Sequence, residues 1–299
     1  MGRLLGWLTF AEARRRRRIR RMLRQMERLD RAAHRGPRDW QPAPRQRAFG
    51  TVTVLALLVA GLWMVASVTG GTSGDRPQAF PDRPADALDS RPADGPSNVP
   101  RSDAYRFIRT QDGTDDPVTY DPCVPIHLQV DPARIVDGGM RLLDQAVEQV
   151  HRATGLQLVV DGITDSPRPA EDQVTADDGR SWLPVRLTWS DPEQSSRLAG
   201  RIAGYAGSSS IQRDGRQWFV TGEVVLDGPQ LEEMLHRERN GRASVRAVIM
   251  HELGHLVGLD HVDAAGELMQ AEGDASLVSW GPGDRAGLAA LGQGRCIDY

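Results

Sequence analysis

Apolar residues recur at different periods along this chain, and the changes of period mark its parts. Thr51–Thr69 (T-V-T-V-L-A-L-L-V-A-G-L-W-M-V-A-S-V-T) is apolar on every side and lies in a charge-free stretch from Ala48 to Gly74. Its 19 residues, at about 1.5 Å rise each, just cross about 30 Å of hydrocarbon, so one transmembrane helix is expected over 49–69. Before it, Ala11–Ala33 sets Ile19, Met22, Leu23 and Met26 at i, i+3, i+4 and i+7 with Arg on the other faces, which predicts a basic amphipathic helix. After it, Gly70–Pro100 is rich in Gly, Pro, Asp and Ser and poor in large apolar residues. Such a stretch cannot bury enough surface to fold, so 70–104 reads as a disordered linker and 105–299 as the folded domain.

Within that domain the patterns predict strands at Pro125–Val130, Leu156–Val160 and Val185–Trp189. Trp218–Val220 and Glu223–Leu226, parted by Thr221-Gly222, read as two short strands or one bent strand. Met140–Ala153 carries Leu142, Leu143, Ala146 and Val150 at helical spacing and is stopped by Gly155. Ser244–Val257 is a strongly patterned helix, and Asp284–Leu291 a short last one. Residues 161–181 form a long polar, acidic loop. Strands alternating with an early helix, then two helices, indicate an α+β fold, an α/β sandwich.

Charge adds an orientation. All 37 basic residues are Arg. Residues 1–48 hold 15 Arg against 4 acidic residues, and the remainder 22 against 36, an asymmetry that the whole-chain value of −3 conceals. The positive-inside rule then makes 1–48 a cytoplasmic tail and places everything after the span outside the cell membrane, as a single-pass signal anchor. A cleaved signal peptide fits less well, because 50 residues precede the apolar run and no A-x-A site follows it. The basic helix at 11–33 suits anionic lipid headgroups, and its place beside a membrane argues against nucleic acid. Cys123 and Cys296 both fall in the outer portion, where oxidising conditions favour a disulfide between them.

The chemistry is concentrated in residues 251–261, H-E-L-G-H-L-V-G-L-D-H. On a helix, His251 and His255 at i and i+4 project from one face within reach of a single metal ion. Zinc takes neutral imidazole nitrogens in tetrahedral geometry, and three protein ligands leave a fourth position open for water. Glu252, turned about 100° from His251, stands beside the ion, where it can take a proton from a zinc-bound water and pass it to a leaving amine. Gly258 supplies the turn that stops the helix. The returning chain brings His261 as third ligand.

The extended spacing H-E-x-x-H-x-x-G-x-x-H, with Met269 eight residues after His261, resembles the metzincin zinc peptidases. G-P-G-D-R-A-G-L-A-A-L-G at 281–292 is similar to the C-terminal helix of matrixin catalytic domains, and the chain from Cys123 onward looks like a bacterial, actinobacterial-type matrixin domain. That resemblance implies a twisted mixed sheet, with an edge strand that pairs with an extended substrate. The 216–227 region is the nearest candidate for that strand. It also implies a methionine turn at Met269 beneath the metal, one catalytic zinc, and endopeptidase activity on proteins or peptides. Val262 stands where animal matrixins usually have Ser, and Gln270-Ala271 where they commonly continue Tyr-Pro, so no substrate preference carries over.

Several alternatives stay open. A zincin with a Glu third ligand, Glu272, would act as an exopeptidase, and a zinc-stabilised but inactive binding domain would need no base at Glu252. Cys123, in D-P-C-V-P, resembles the cysteine that keeps matrixin zymogens latent, although it directly precedes the first strand of the domain. Acidic loops at 111–121 and 171–178 could hold calcium, as in some relatives, but a solvated loop is the simpler reading. His127, His151 and His236 stand singly and read as ordinary residues.

Overall fold

The computed structural model describes residues 80–299 apart from 93–94, 167–168, 171–172, 201 and 272–275. The expected tail at 1–48 with its basic helix, the span at 49–69 and the start of the linker lie outside the described residues. Among the described residues no helix is long and apolar enough to cross a membrane.

In chain order the elements are β1 (Arg106–Phe107), β2 (Thr119–Tyr120), β3 (Ile126–Asp131), α1 (Gly139–Thr154), β4 (Leu158–Ile163), β5 (Val185–Ser190), a 3-10 turn (Ser196–Leu198), β6 (Gly204–Arg213), β7 (Arg216–Asp227), α2 (Gly228–Arg237), α3 (Gly241–Val257), β8 (Leu259–Asp260) and α4 (Pro282–Leu291). The mixed sheet runs β4-β3-β5-β7 with all four strands parallel. Short β2 also joins β7 in parallel, and β6 folds back antiparallel along nearly all of β7. A parallel neighbour requires a crossover, and α1 supplies it between β3 and β4. Every residue of β5 is buried, as a central parallel strand covered on both faces requires.

The elements predicted at 125–130, 140–153, 185–189, 244–257 and 284–291 are present as β3, α1, β5, α3 and α4, within three residues at either end. Glycines end two of the helices as expected: Gly155 at φ 79° closes α1, and Gly258 at φ 125° closes α3. The expected strand at 156–160 starts two residues later and runs to Ile163, into the expected loop. The 218–226 region is one bent strand, whose pairing slips between Ser209 and Ser210.

One expectation is corrected. Residues 216–227 are not an edge of the sheet, because β6 covers them; among the described residues β4 is the edge at one side and Gly204–Arg213 the outer edge at the other. That strand has no run of branched apolar residues, so its pattern does not announce it. The hairpin that makes it does carry a signal, Asp214-Gly215, both at positive φ (50° and 74°) as a type I′ turn needs. Helix α2 was likewise not expected. Its start is written in Asp227, whose carboxylate accepts the Gln230 N–H, and in a proline in the first turn.

The main core lies between the sheet and its helices. Leu128, Val130, Leu187, Val224 and Leu226 meet Leu142, Leu143 and Val150 of α1 and Val245, Ile249, Leu253 and Leu256 of α3. Helix α3 is buried on nearly all sides and packs against α1, α2, β6 and β7. A helix enclosed in this way holds its side chains in one arrangement, which suits a residue set that must converge on a point.

The segment expected as linker has no helix or strand over 80–92 and 95–104, but it is laid along the domain. Phe80 stands edge-on to Trp182, next to Tyr299 and under the Arg213 guanidinium. Asp82 pairs with Arg180, the Leu88 N–H donates to the Cys123 carbonyl, and Asn98 O accepts from Arg285. Cys123 and Cys296 form the expected disulfide. Asp121 joins the same two segments, accepting the Cys123 and Ile297 N–H groups.

Candidate metal centre

Helix α3 presents His251, Glu252 and His255, and the Gly258 turn returns the chain through β8 to His261. A Cβ at Gly258 would lie 2.9 Å from Leu291 in addition to straining the backbone, so this sharp return needs glycine. The three Nε2 atoms form a nearly equilateral triangle with sides of 3.0, 3.1 and 3.1 Å.

These contacts are not hydrogen bonds among imidazoles. His251 Nδ1 donates to the Leu268 carbonyl at 2.9 Å and His255 Nδ1 to the Leu259 carbonyl at 2.8 Å. A carbonyl only accepts, so both rings carry their proton on Nδ1 and offer a lone pair at Nε2. Burial, then the neighbouring His255, lowers the His251 pKa to about 3 despite the Leu268 carbonyl, which keeps the ring neutral. Lone pairs converging at this range repel unless a cation lies among them. Zinc–nitrogen bonds of about 2.0–2.1 Å at tetrahedral angles place nitrogens about 3.3 Å apart, close to the spacing seen. The residues therefore fit one divalent ion of the kind imidazole prefers, with neutral donors and with the outer nitrogens of two rings already fixed by carbonyls.

Met269 is buried against helix α3: a Cβ at Gly254 would lie 2.7 Å from its sulfur. The Met269 carbonyl accepts from the Val262 N–H at 3.0 Å, tying the turn to the residue after His261. Asp284, fully buried at the start of α4, accepts the N–H groups of Leu268, Met269 and Gly281, and its own N–H donates to Glu267. Neither Asp284 nor Glu267 was singled out from the sequence. The signal was present in G-P-G-D, where an acidic third residue reaches back to the N-terminal end of its helix.

Glu252 is 5% exposed. Its carboxyl lies against Gly204 at the head of β6, where a Cβ would stand 2.9 Å from Glu252 Cγ and 3.0 Å from the Val225 carbonyl. The start of the free edge strand thus passes beside the acid of the motif.

The remaining candidates fall as follows. Glu272 lies outside the described residues, and His261 completes the triangle. Cys123 is bonded to Cys296 and so offers no thiolate. Among the described residues the other group of potential ligands, Asp121, Cys123 and Cys296, is that disulfide with its adjacent carboxylate, and neither acidic loop assembles three ligating groups. His127 lies between Asp161 and Asp86, His151 Nδ1 donates to the Leu156 carbonyl, and His236 pairs with Glu232.

No protein-family model matches this chain, and no curated protein does. Solved structures resemble part of it, among them these two. One is high choriolytic enzyme 1, a hatching enzyme zinc-protease from the medaka fish Oryzias latipes, at 14% identity and a TM-score of 0.23, over 46% of this chain and 45% of that one. The other is the GM1-bound form of the ECX AB5 holotoxin, at 13% identity and a TM-score of 0.28, over 48% of this chain and 54% of that one. The chain spans about half the length of the structures it resembles, and likenesses this loose do not define a family for it. What the site can do rests on its own residues.

Proposed function

We propose that this chain is a zinc-dependent endopeptidase of matrixin-like metzincin type. The observation that carries the reading is the convergence of three imidazole Nε2 atoms, two with their tautomer set by carbonyls, beside a buried Glu252 that reaches the head of a free edge strand. His251, His255 and His261 would hold the ion. Bound zinc supplies a Lewis acid that polarises a carbonyl and makes water acidic enough to attack it near neutral pH.

The chain's own residues do the rest. Glu252 takes the proton from the attacking water and returns it to the departing amine nitrogen. The unpaired backbone edge of β6 accepts an extended peptide as one more strand, which orients the scissile bond without demanding particular side chains. Met269 and its turn carry the Leu268 carbonyl that orients His251. Val262 and Gln270, which bridge to each other beside His261, stand where specificity would be set.

Glu252→Gln tests the mechanism. It should keep zinc and lose about 10²–10⁴-fold in peptide cleavage. Cleavage by the variant at the parent rate, or cleavage that survives chelation, would overturn the reading, while zinc bound with no cleavage of any peptide would favour a binding domain. The Arg-rich tail and the apolar span support placing this site outside the cell membrane. A C-terminal tag labelled by an impermeant reagent on intact cells is the expected result, and labelling only after lysis would refute it.

A further inference from the structure

Two of the three ligands are held by a helix, and the third is not. His261 follows the two-residue strand β8, on a stretch that leaves α3 by a glycine turn. What holds that stretch is the N-terminal part of the domain. Strand β1 pairs antiparallel with β8, setting Arg106 opposite Asp260 and Phe107 opposite Leu259, and the Ile108 N–H donates to the Gly258 carbonyl at 2.9 Å.

The side chains close a ring around the main chain of His261. Asp260 Oδ1 accepts the His261 N–H at 2.8 Å. Asp260 Oδ2 lies 3.3 Å from Arg106 Nε. The other arm of the same guanidinium donates to the His261 carbonyl at 3.1 Å. Both main-chain polar groups of the third ligand are therefore gripped by one ion pair, and one half of that pair comes from a segment 155 residues away in sequence. A planar guanidinium can make both contacts at fixed geometry, and a lysine cannot. Leu259, the other residue of β8, carries the carbonyl that holds His255 Nδ1. Strand β1 thus braces the position of one ligand and the tautomer of another.

We infer that Arg106 is a positioning residue for the third metal ligand, acting through Asp260 and the main chain of His261, so that the N-terminal segment of the domain sets the metal affinity of the site. The inference rests on the zinc reading above. Arg106 touches neither metal nor substrate; it fixes where the His261 imidazole is presented. Outer contacts of this kind are worth about 10–100-fold in metal affinity, and the exposure of Arg106 puts the effect near the lower end of that range.

The experiment uses the full 299-residue chain in mild detergent, with zinc affinity read by competition with a chromophoric chelator. The visible spectrum of the cobalt-substituted protein reports ligand geometry. Arg106→Ala should weaken zinc about 10-fold and shift the cobalt bands, while the metal-free protein melts within about 2 °C of the parent, because an exposed side chain contributes little to the fold itself. Arg106→Lys, which keeps the charge but not the fork, should fall between parent and Arg106→Ala.

Parent-like zinc affinity and cobalt spectrum in Arg106→Ala would overturn the inference. So would a loss matched by an equal fall in the melting temperature of the metal-free protein, since that marks a purely structural role. His261→Ala separates the two readings. If it binds zinc like the parent, the metal assignment itself fails and the inference with it. If it loses zinc while Arg106→Ala does not, only the positioning role fails.

Discussion

Asp284 offers the sharpest test of how the site is supported. Its carboxylate is fully buried and accepts three main-chain N–H groups, from Leu268, Met269 and Gly281. Replacing it with Ala strips all three of their acceptor. A buried orphaned N–H costs about 1–3 kcal/mol, which sums to several kcal/mol before any relief. Some relief is expected, because burial raises the Asp284 pKa against the pull of those same N–H groups, and nearby Glu267 adds to the rise. Removing a carboxylate that is itself uncomfortable, and letting water enter, brings the net cost to about 3 kcal/mol. For a domain of roughly 200 residues that is a fall of about 6–12 °C in melting temperature. Asp284→Asn keeps one oxygen, enough for the Leu268 and Gly281 groups that share Oδ2, and should cost about 1 kcal/mol. The same substitutions should reach the metal. Leu268 is held by Asp284 at its N–H and holds His251 at its carbonyl, so the Ala variant should bind zinc about 10-fold more weakly. Thermal melts with zinc and with chelator, and a chelator competition, read both quantities. Equal melting of the Ala and Asn variants, or a shift under about 2 °C for Ala, would mean that Asp284 acts only as an acidic residue at a helix start, worth a few tenths of a kcal/mol.

Three further outcomes follow from other parts of the molecule. Gly204→Ala puts a methyl 2.9 Å from Glu252 Cγ and should lower peptide cleavage about 10-fold while zinc affinity holds, since Glu252 is no ligand; unchanged cleavage would show that the carboxyl has room to spare. Cys123→Ser with Cys296→Ser opens a bridge spanning 173 residues, which in the chain-entropy model is worth up to about 5 kcal/mol; a double variant that melts with the parent under oxidising conditions would contradict it. His127 lies 2.7 Å from Asp161 and 2.8 Å from Asp86; burial opposes its charge, but those hydrogen bonds and the two carboxylates outweigh it and raise its pKa. Its contribution is complete below the ordinary histidine value of about 6.5 and is lost as pH rises through the higher folded value. His127→Gln should therefore cost more melting temperature at pH 6 than at pH 9, and an equal penalty at both would refute that coupling.

The convergence of the three histidines was legible because it is local: two imidazoles one helical turn apart, a glycine stop and a third imidazole three residues on need little tertiary information. The buried strands and helices were legible for a similar reason, since β5 and α3 are apolar enough to declare themselves. Strand β6 was not, because its small and polar residues are mostly half-buried and show no alternation of apolar and polar positions, and Gly-Tyr-Ala-Gly-Ser-Ser-Ser looks like a loop until Asp214-Gly215 is read as a hairpin turn. The supports of the site were hidden more deeply. Nothing in the neighbourhood of Asp284 or Arg106 indicates that one will grip residues 268–269 and the other His261, since those pairings are long-range and only the fold creates them. Residues 80–92 and 95–104 show the limit of composition, which measures what a segment can bury alone and not what an existing surface offers it.

That laid-down segment has a mechanical consequence. A pull arriving along the chain from before Phe80 would first load the Phe80, Trp182 and Tyr299 cluster, then the Asp82–Arg180 pair, then the Leu88 bond to Cys123. That last contact is on a residue covalently bound to Cys296 near the other end of the domain. Tension would be shared with the C-terminal segment before it could reach β1 and, through Arg106, His261. The wrapped segment would work as strain relief, like the clamp where a cable enters a plug, isolating the three-histidine triangle from forces on the chain before Phe80.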